Sequence, residues 1–160
     1  MIKIIAAIGK NNELGKDGKL LFPAKQDLAF FKEETLGHKI LMGSNTWNSL
    51  PGKLPEREHF VATRSPERLP SDVTAVTDLG EFIDEYSKSN ETLYVIGGGQ
   101  IYEATLPYAD ELILTEIDAT TDADTFFPDF DRKKYQLCPV KEFIENNIKY
   151  NIVRYRKEPK

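Results

Sequence analysis

Leu93-Tyr94-Val95-Ile96-Gly97-Gly98-Gly99-Gln100-Ile101-Tyr102 opens as an apolar, β-branched run and passes into three consecutive glycines. The first part has the composition of a strand buried on both faces. Beyond the glycines, Ile101, Tyr102, Ala104, Thr105 and Leu106 read as a short helix that Pro107 stops. Glycines at a strand-to-helix junction let a backbone pass where a β-carbon would collide, and they also reach the positive φ of a tight turn. A helix amino end beyond them presents N–H groups suited to phosphate oxygens. Close approach to a ligand and turn geometry alone both account for three glycines in isolation.

The surroundings of this unit repeat its pattern. Upstream, residues 78–87 form an amphipathic helix with Leu79, Phe82, Ile83 and Tyr86 in register. Downstream, Glu111-Leu112-Ile113-Leu114-Thr115-Glu116-Ile117 is a strand. So is the start of the chain, Ile2-Lys3-Ile4-Ile5-Ala6-Ala7-Ile8, whose apolar composition makes it central. Residues 9–19 carry Asn-Asn, Asp-Gly and three glycines without helical or strand period, so they read as a long loop. The apolar run 20–23 at its end fits a lid.

Residues 24–36 read as a helix closed by Gly37, with Ala24, Leu28 and Phe31 at helical spacing. Asp27 lies on the same stripe. Either it is a buried acid that needs a partner, or it only complements the helix dipole from the first turn. Three further strands are expected: 39–43, followed by a short helix that Ser44-Asn45-Thr46 would cap; 58–62, passing into Thr63-Arg64-Ser65-Pro66; and 73–76. Asp122 to Thr125 reads as loop. Residues 135–144 and 149–156 alternate and are broken at Asn146-Asn147, a hairpin signal.

The chain has 160 residues, enough for one domain with a full core, and its 40% hydrophobic and 29% charged content is that of a globular protein. A net charge of −5 with no basic block argues against nucleic-acid binding. The single cysteine, Cys138, excludes an intrachain disulfide and reads as a strand residue; with only His38 and His59 beside it, no metal site is expected. The apolar start is too short to span a membrane and lacks a cleavage pattern, so a cytoplasmic protein is expected.

Strands alternating with helices point to an α/β fold with a largely parallel sheet. In such a sheet three junctions, Gly43-Ser44-Asn45-Thr46, Thr63-Arg64-Ser65 and Gly97-Gly98-Gly99, share the carboxyl edge where ligands bind. Together they fit a ligand long enough to span them, such as a dinucleotide. Neither the Gly-x-Gly-x-x-Gly fingerprint nor the P-loop signature is present. Arg64 fits recognition of a 2′-phosphate, hence NADP over NAD; alternatively it is a solvated surface charge.

The ordered set of these residues resembles the dihydrofolate reductase family over essentially the whole length. The resemblance is carried by Ile4-Ile5-Ala6-Ala7, Leu14-Gly15, Asp27-Leu28, Phe31-Lys32, Met42-Gly43 and Thr46-Trp47. It continues in Leu54-Pro55 with Arg57, Ile96-Gly97-Gly98-Gly99, Ile101-Tyr102, Leu114-Thr115, Ile117-Asp118 and Asp124-Thr125 with Phe127-Pro128. It implies one domain over 1–160: a mostly parallel sheet with an antiparallel carboxyl-terminal strand and helices on both faces. It implies hydride transfer from NADPH to dihydrofolate, giving tetrahydrofolate for one-carbon metabolism, in a monomer that also binds antifolates.

By that resemblance Asp27, held by Thr115, binds the pterin and promotes protonation at N5. Ile5, Leu28, Phe31, Leu50, Leu54 and Ile96 form apolar walls. Arg57, with Lys32 nearby, pairs with the carboxylate of the glutamate tail. Ala7, Leu14, Gly15, Gly43, Ser44, Asn45, Thr46, Thr63, Arg64, Ser65, Ile96, Gly97, Gly98, Gly99, Gln100, Ile101 and Tyr102 line the cofactor, and the Gly97–Gly98 peptide is cis.

Four departures from the family pattern stand out. Phe22 replaces an indole in the first loop, and Ser44 replaces a basic residue. Ala123 stands where glycine is usual, with strain expected there if φ is positive. Gly52-Lys53 replaces a second arginine. Two competing readings use the same glycine turn: a ribosylaminopyrimidine reductase of the same fold, and a non-catalytic nucleotide-binding module. Neither gives a purpose to Asp27 or Arg57.

Overall fold

The computed structural model describes residues 1–16, 19, 20, 22, 24–50 and 52–157. In chain order the elements are β1 (Ile2–Ile8), β2 (Glu13–Lys16), β3 (Lys19–Leu20), α1 (Lys25–Thr35), β4 (Lys39–Gly43), α2 (Ser44–Ser49), β5 (Glu58–Ala62) and β6 (Thr74–Val76). They continue with α3 (Leu79–Ser87), β7 (Leu93–Gly97), α4 (Gly99–Thr105), β8 (Glu111–Ile117), β9 (Thr125–Phe126), β10 (Tyr135–Glu145) and β11 (Ile148–Lys157). Eight strands make one sheet in the order β10-β11-β8-β1-β7-β4-β5-β6. From β8 to β6 every pairing is parallel, while β11 runs antiparallel to β8 and β10 antiparallel to β11. The apolar β1 lies between β7 and β8, the central place its composition requires.

Period-two alternation sorts the strand residues onto two faces. Ile2, Ile4, Leu41, Val95 and Leu112 pack with Ile83, Tyr86 and Tyr102, the core-facing residues of α3 and α4. Ile5, Ile40, Met42, Tyr94 and Ile113 pack on the opposite face with Phe31 of α1 and Trp47 of α2. Helices therefore cover both faces. Each fully buried aliphatic side chain contributes about 1.5–3 kcal/mol of transfer free energy, offset largely by conformational entropy.

Local signals hold in detail. The Asp78 carboxylate caps α3 by accepting from the Glu81 N–H at 3.0 Å. Gly37 follows the end of α1 at φ +77. Asn146 and Asn147 turn the β10–β11 hairpin at φ 54 and 63, the two positive values that a type I′ turn demands. Cys138 sits in β10, half-buried.

Several expectations are corrected. Residues 9–19 are not one loop: β2 pairs antiparallel with β3 and with β9, so Thr125 is also a strand residue, and the three form a second small sheet. Backbone partners define these short strands, including Asp124 N–H to Gly15 O at 3.0 Å and Phe127 N–H to Asn12 O at 2.8 Å. No side-chain period announces them. On α1, Leu28 is 51% exposed rather than part of the buried stripe. The sheet takes the side that carries Asp27, Phe31 and Glu34, because both acids find partners there: Thr115 for Asp27, and Tyr94 and Arg154 for Glu34. Helix α2 starts after Gly43 with no side-chain cap, so Ser44, Asn45 and Thr46 form its first turn. Non-glycine residues at positive φ among the described residues are Asn12, Glu56, Asn146 and Asn147; Ala123 is not one and carries no such strain. Of the run 20–23, Leu21 and Pro23 lie outside the described residues, while Phe22 is half-buried against the Ile5 cluster.

Candidate active site

Asp27 is the third residue of α1 and Thr115 the fifth of β8, next to Ala7 of β1 in register. The Thr115 hydroxyl donates to Asp27 Oδ1 at 2.5 Å. Burial pushes the Asp27 carboxyl above the usual carboxylate range. The Thr115 bond opposes that rise and the negative charge of Glu145 adds to it. A half-buried acid whose pKa is raised by burial and which has a specific partner is a candidate for proton handling. Of the two alternatives for Asp27, the structure shows the acid that has a partner, Thr115.

On the sheet face that carries Thr115, Ile5, Phe31, Leu50, Leu54 and Ile96 belong to one apolar cluster, with Ala7, Phe22 and Trp47. Ile5 is buried and the others half-buried. Leu28 stands outside this cluster, exposed. Trp47 and Phe22 were not singled out as wall residues.

Arg57 is held before any ligand arrives. Its Nε donates to Thr35 Oγ1 at 3.0 Å, Nη1 to the Pro55 carbonyl at 2.5 Å, and Nη2 to the Lys32 carbonyl. A guanidinium has five N–H groups, so two remain. The Lys32 side chain is exposed one turn of α1 before Thr35. His59, which sequence reasoning passed over, braces this loop from inside β5, where it is 1% exposed. Its Nε2 accepts from the Leu54 N–H at 3.0 Å and its Nδ1 lies 3.1 Å from the Arg57 carbonyl, which makes Nδ1 the protonated nitrogen. Burial lowers its pKa and keeps it neutral, as that pair of bonds requires. A lone polar residue in the buried run Phe60-Val61 was the available signal.

The three glycine and hydroxyl junctions do share one edge. Gly43 is in register with Ala62, and Met42 with Gly97, so β4, β5 and β7 end side by side. The Gly97–Gly98 peptide is cis. The three glycines have different reasons. Gly97 sits at φ +135, and a β-carbon on Gly99 would lie 2.9 Å from Thr125 Cγ2 on β9. A β-carbon on Gly98 would meet only Thr46 Oγ1, at 3.6 Å, so its side is open. Asn45, Arg64 and Gln100 are exposed along this edge, and Arg64 has no hydrogen bond or ion pair among the described residues. The Ser44 hydroxyl donates to the Ala62 carbonyl at 3.1 Å, and the Ser65 N–H to Thr63 Oγ1 at 3.0 Å, which fixes the loop.

Two expected edge residues are instead internal. Ile101 is 9% exposed and packs under Gly43, and Tyr102 is 4% exposed with its hydroxyl donating to the Ile5 carbonyl at 2.8 Å. Tyr102 thereby ties α4 to the strand that lines the acid. Leu14 and Gly15 lie in β2, Leu14 packed on the α3/α4-side core. Among the described residues, no helix is long and apolar enough to cross a membrane.

The family model described as dihydrofolate reductase matches residues 1–157. The dihydrofolate reductase of Bacillus subtilis (strain 168) is 35% identical over 161 residues, covering 99% of this chain and 95% of that protein. Dihydrofolate reductase type 3 of Salmonella typhimurium is 38% identical, covering 81% of this chain and 80% of that protein. The Neisseria gonorrhoeae dihydrofolate reductase is 33% identical, covering 96% of each.

Proposed function

Since the chain belongs to the dihydrofolate reductase family, we infer that it reduces dihydrofolate to tetrahydrofolate with a nicotinamide cofactor, and we propose that this cofactor is NADPH. The observation that carries the site assignment is the Asp27–Thr115 pair, a half-buried carboxyl whose pKa burial raises, on the sheet face where the Ile5 cluster packs.

In this reading Asp27 receives the pterin's amino and ring N–H groups as a bidentate acceptor, which orients the ring. Its negative charge favours a proton at N5 and so makes the neighbouring carbon a better hydride acceptor. Thr115 keeps the carboxylate turned into the cleft. Ile5, Phe31, Leu50, Leu54 and Ile96 exclude water around pterin and aryl ring, and Leu28 closes over the ring from its exposed position on α1. The two N–H groups that Arg57 has left match a carboxylate bidentately, with Lys32 adding charge for the glutamate tail.

The strand-end edge fits a dinucleotide. Gly98 is open on its outer side, and both α2 and α4 begin without a side-chain cap, so their first-turn N–H groups suit pyrophosphate oxygens. Arg64, exposed beyond β5 and without a partner among the described residues, suits a 2′-phosphate, which favours NADPH over NADH. When bound, the nicotinamide supplies the hydride; the protein's part is to hold the two reactants face to face.

The test follows the loss of nicotinamide absorbance on mixing protein, dihydrofolate and either NADPH or NADH. Oxidation that needs both reagents and prefers NADPH is the expected result. Equal use of NADH removes the 2′-phosphate role of Arg64, and no oxidation by folded protein overturns the reading.

A further inference from the structure

Glu145 is the last residue of β10, yet its side chain works 120 residues away, at the amino end of α1. Its Oε2 accepts from the Lys25 N–H at 2.6 Å and its Oε1 from the Gln26 N–H at 3.3 Å. The helix cannot cap itself: Ala24 stands at the N-cap with no side-chain acceptor. The residue that commonly reaches back from inside a helix is the third. Here that residue is Asp27, whose carboxylate is turned to Thr115 instead. The capping acceptor therefore comes from the carboxyl-terminal hairpin, and Asp27 is left to the cleft.

We propose that Glu145 is a positioning residue of the reduction: it caps the start of α1, which seats Asp27 to face the pterin, and it sets a negative charge beside that acid. This rests on the reading of Asp27 as the proton-holding acid. The electrostatics run in one direction. An unopposed helix amino end stabilises an anion in its first turn and would draw Asp27 towards ionisation. Glu145 occupies that end and brings a like charge close to Asp27. Among the causes that raise the Asp27 carboxyl, burial is first and Glu145 is the charge that adds to it. Tyr150 of β11 senses both acids, since burial and then the charges of Glu145 and Asp27 push its hydroxyl up. Of the hairpin's other charges, Glu142 and Lys149 are exposed and paired with each other at 3.1 Å, Lys141 lies over the Phe143 ring, and Arg154 is paired with Glu34 and Glu111. Phe143 stacked on Tyr150, with centroids 4.9 Å apart and planes 5° apart, stiffens the hairpin end that delivers Glu145.

The experiment compares the pH profile of single-turnover hydride transfer in the parent protein, Glu145→Gln, Glu145→Asp and Asp27→Asn, together with the carboxyl-carbon NMR titration of Asp27 in the first three. Glu145→Gln keeps an acceptor oxygen and removes the charge. Its profile is expected to move to lower pH, with transfer on the alkaline limb falling roughly two- to fivefold, the size of a charge effect at a helix end. Glu145→Asp, which keeps the charge, is expected to stay close to the parent. A Glu145→Gln profile superimposed on the parent's, or a Glu145→Asp profile displaced as far as the Gln variant's, overturns the inference. In either case an Asp27→Asn profile that has lost the parent's limb, and rises only in acid with the substrate's own protonation, leaves the Asp27 reading standing. An Asp27→Asn profile unchanged from the parent's overturns that reading and this inference with it.

Discussion

Glu13 offers a sharp test of how the first loop is held. It opens β2 and is 2% exposed, and among the described residues it has no ion-pair partner. Three donors surround its carboxylate: the Asn11 N–H at 2.6 Å, the Thr121 N–H at 2.9 Å and the Thr120 hydroxyl. Burial works to raise its pKa, but these hydrogen bonds prevail and bring it from 4.5 down to about 2. At about 1.4 kcal/mol per pH unit, that displacement corresponds to roughly 3 kcal/mol of stability at neutral pH. The cover is thin, since Asn11, Thr120 and Thr121 are all exposed, and solvent screening reduces the figure to about 2 kcal/mol. A folded-state pKa below the unfolded one makes this stability whole above the unfolded value of 4.5 and lost as pH falls towards about 2. Urea unfolding of the parent and Glu13→Gln is the assay. The variant is expected to be less stable by about 2 kcal/mol at pH 7 and at pH 5, with the gap closing to about 1 kcal/mol or less at pH 3. A gap that stays constant across this range, or one under about 0.5 kcal/mol at pH 7, would refute the assignment of the stability to an ionised Glu13.

Asp27→Asn keeps the fold and cofactor binding but lowers steady-state turnover at pH 7 by roughly 100-fold or more, with partial rescue in acid, where the substrate already carries its proton. Because the Asp27 pKa is raised, folding favours its protonated form, so its contribution is best below 3.8 and declines as pH rises through the folded value. Thermal unfolding at pH 7 should therefore find the Asn variant at least as stable as the parent. Arg57→Ala should raise the Michaelis constant for dihydrofolate roughly 10- to 100-fold, as loss of a bidentate charge-assisted pair implies. A pterin lacking the glutamate tail should change far less, and similar losses for both remove the tail-binding role. Arg64→Ala should weaken NADPH roughly tenfold by equilibrium titration while leaving NADH nearly unaffected.

Much of the architecture was readable along the chain because its causes are local. Apolar runs such as Ile2-Lys3-Ile4-Ile5 and Leu93-Tyr94-Val95-Ile96 mark strands covered on both faces. Asp78, Gly37 and Asn146-Asn147 announce their caps and turn by side-chain or backbone chemistry that acts within a few residues. The glycine triplet and the order of residues around Asp27 and Arg57 pointed to the family. The small sheet of β2, β3 and β9 escaped, since strands of two to four residues take their existence from a partner rather than from a pattern.

What the sequence by itself determined is therefore the fold class, the family and the positions of the main elements. Only the tertiary structure decided which neighbours give those residues their chemistry. It brought Thr115 to Asp27 across 88 residues, Thr35 to Arg57 across 22 and Glu145 to Lys25 across 120. It placed Tyr102 beneath Ile5 rather than along the edge, and set Leu28 outside the buried stripe. Desolvation and hydrogen bonding depend on every atom within a few ångströms, whichever part of the chain supplies it. A pattern along one strand or helix carries only its own half of that surrounding.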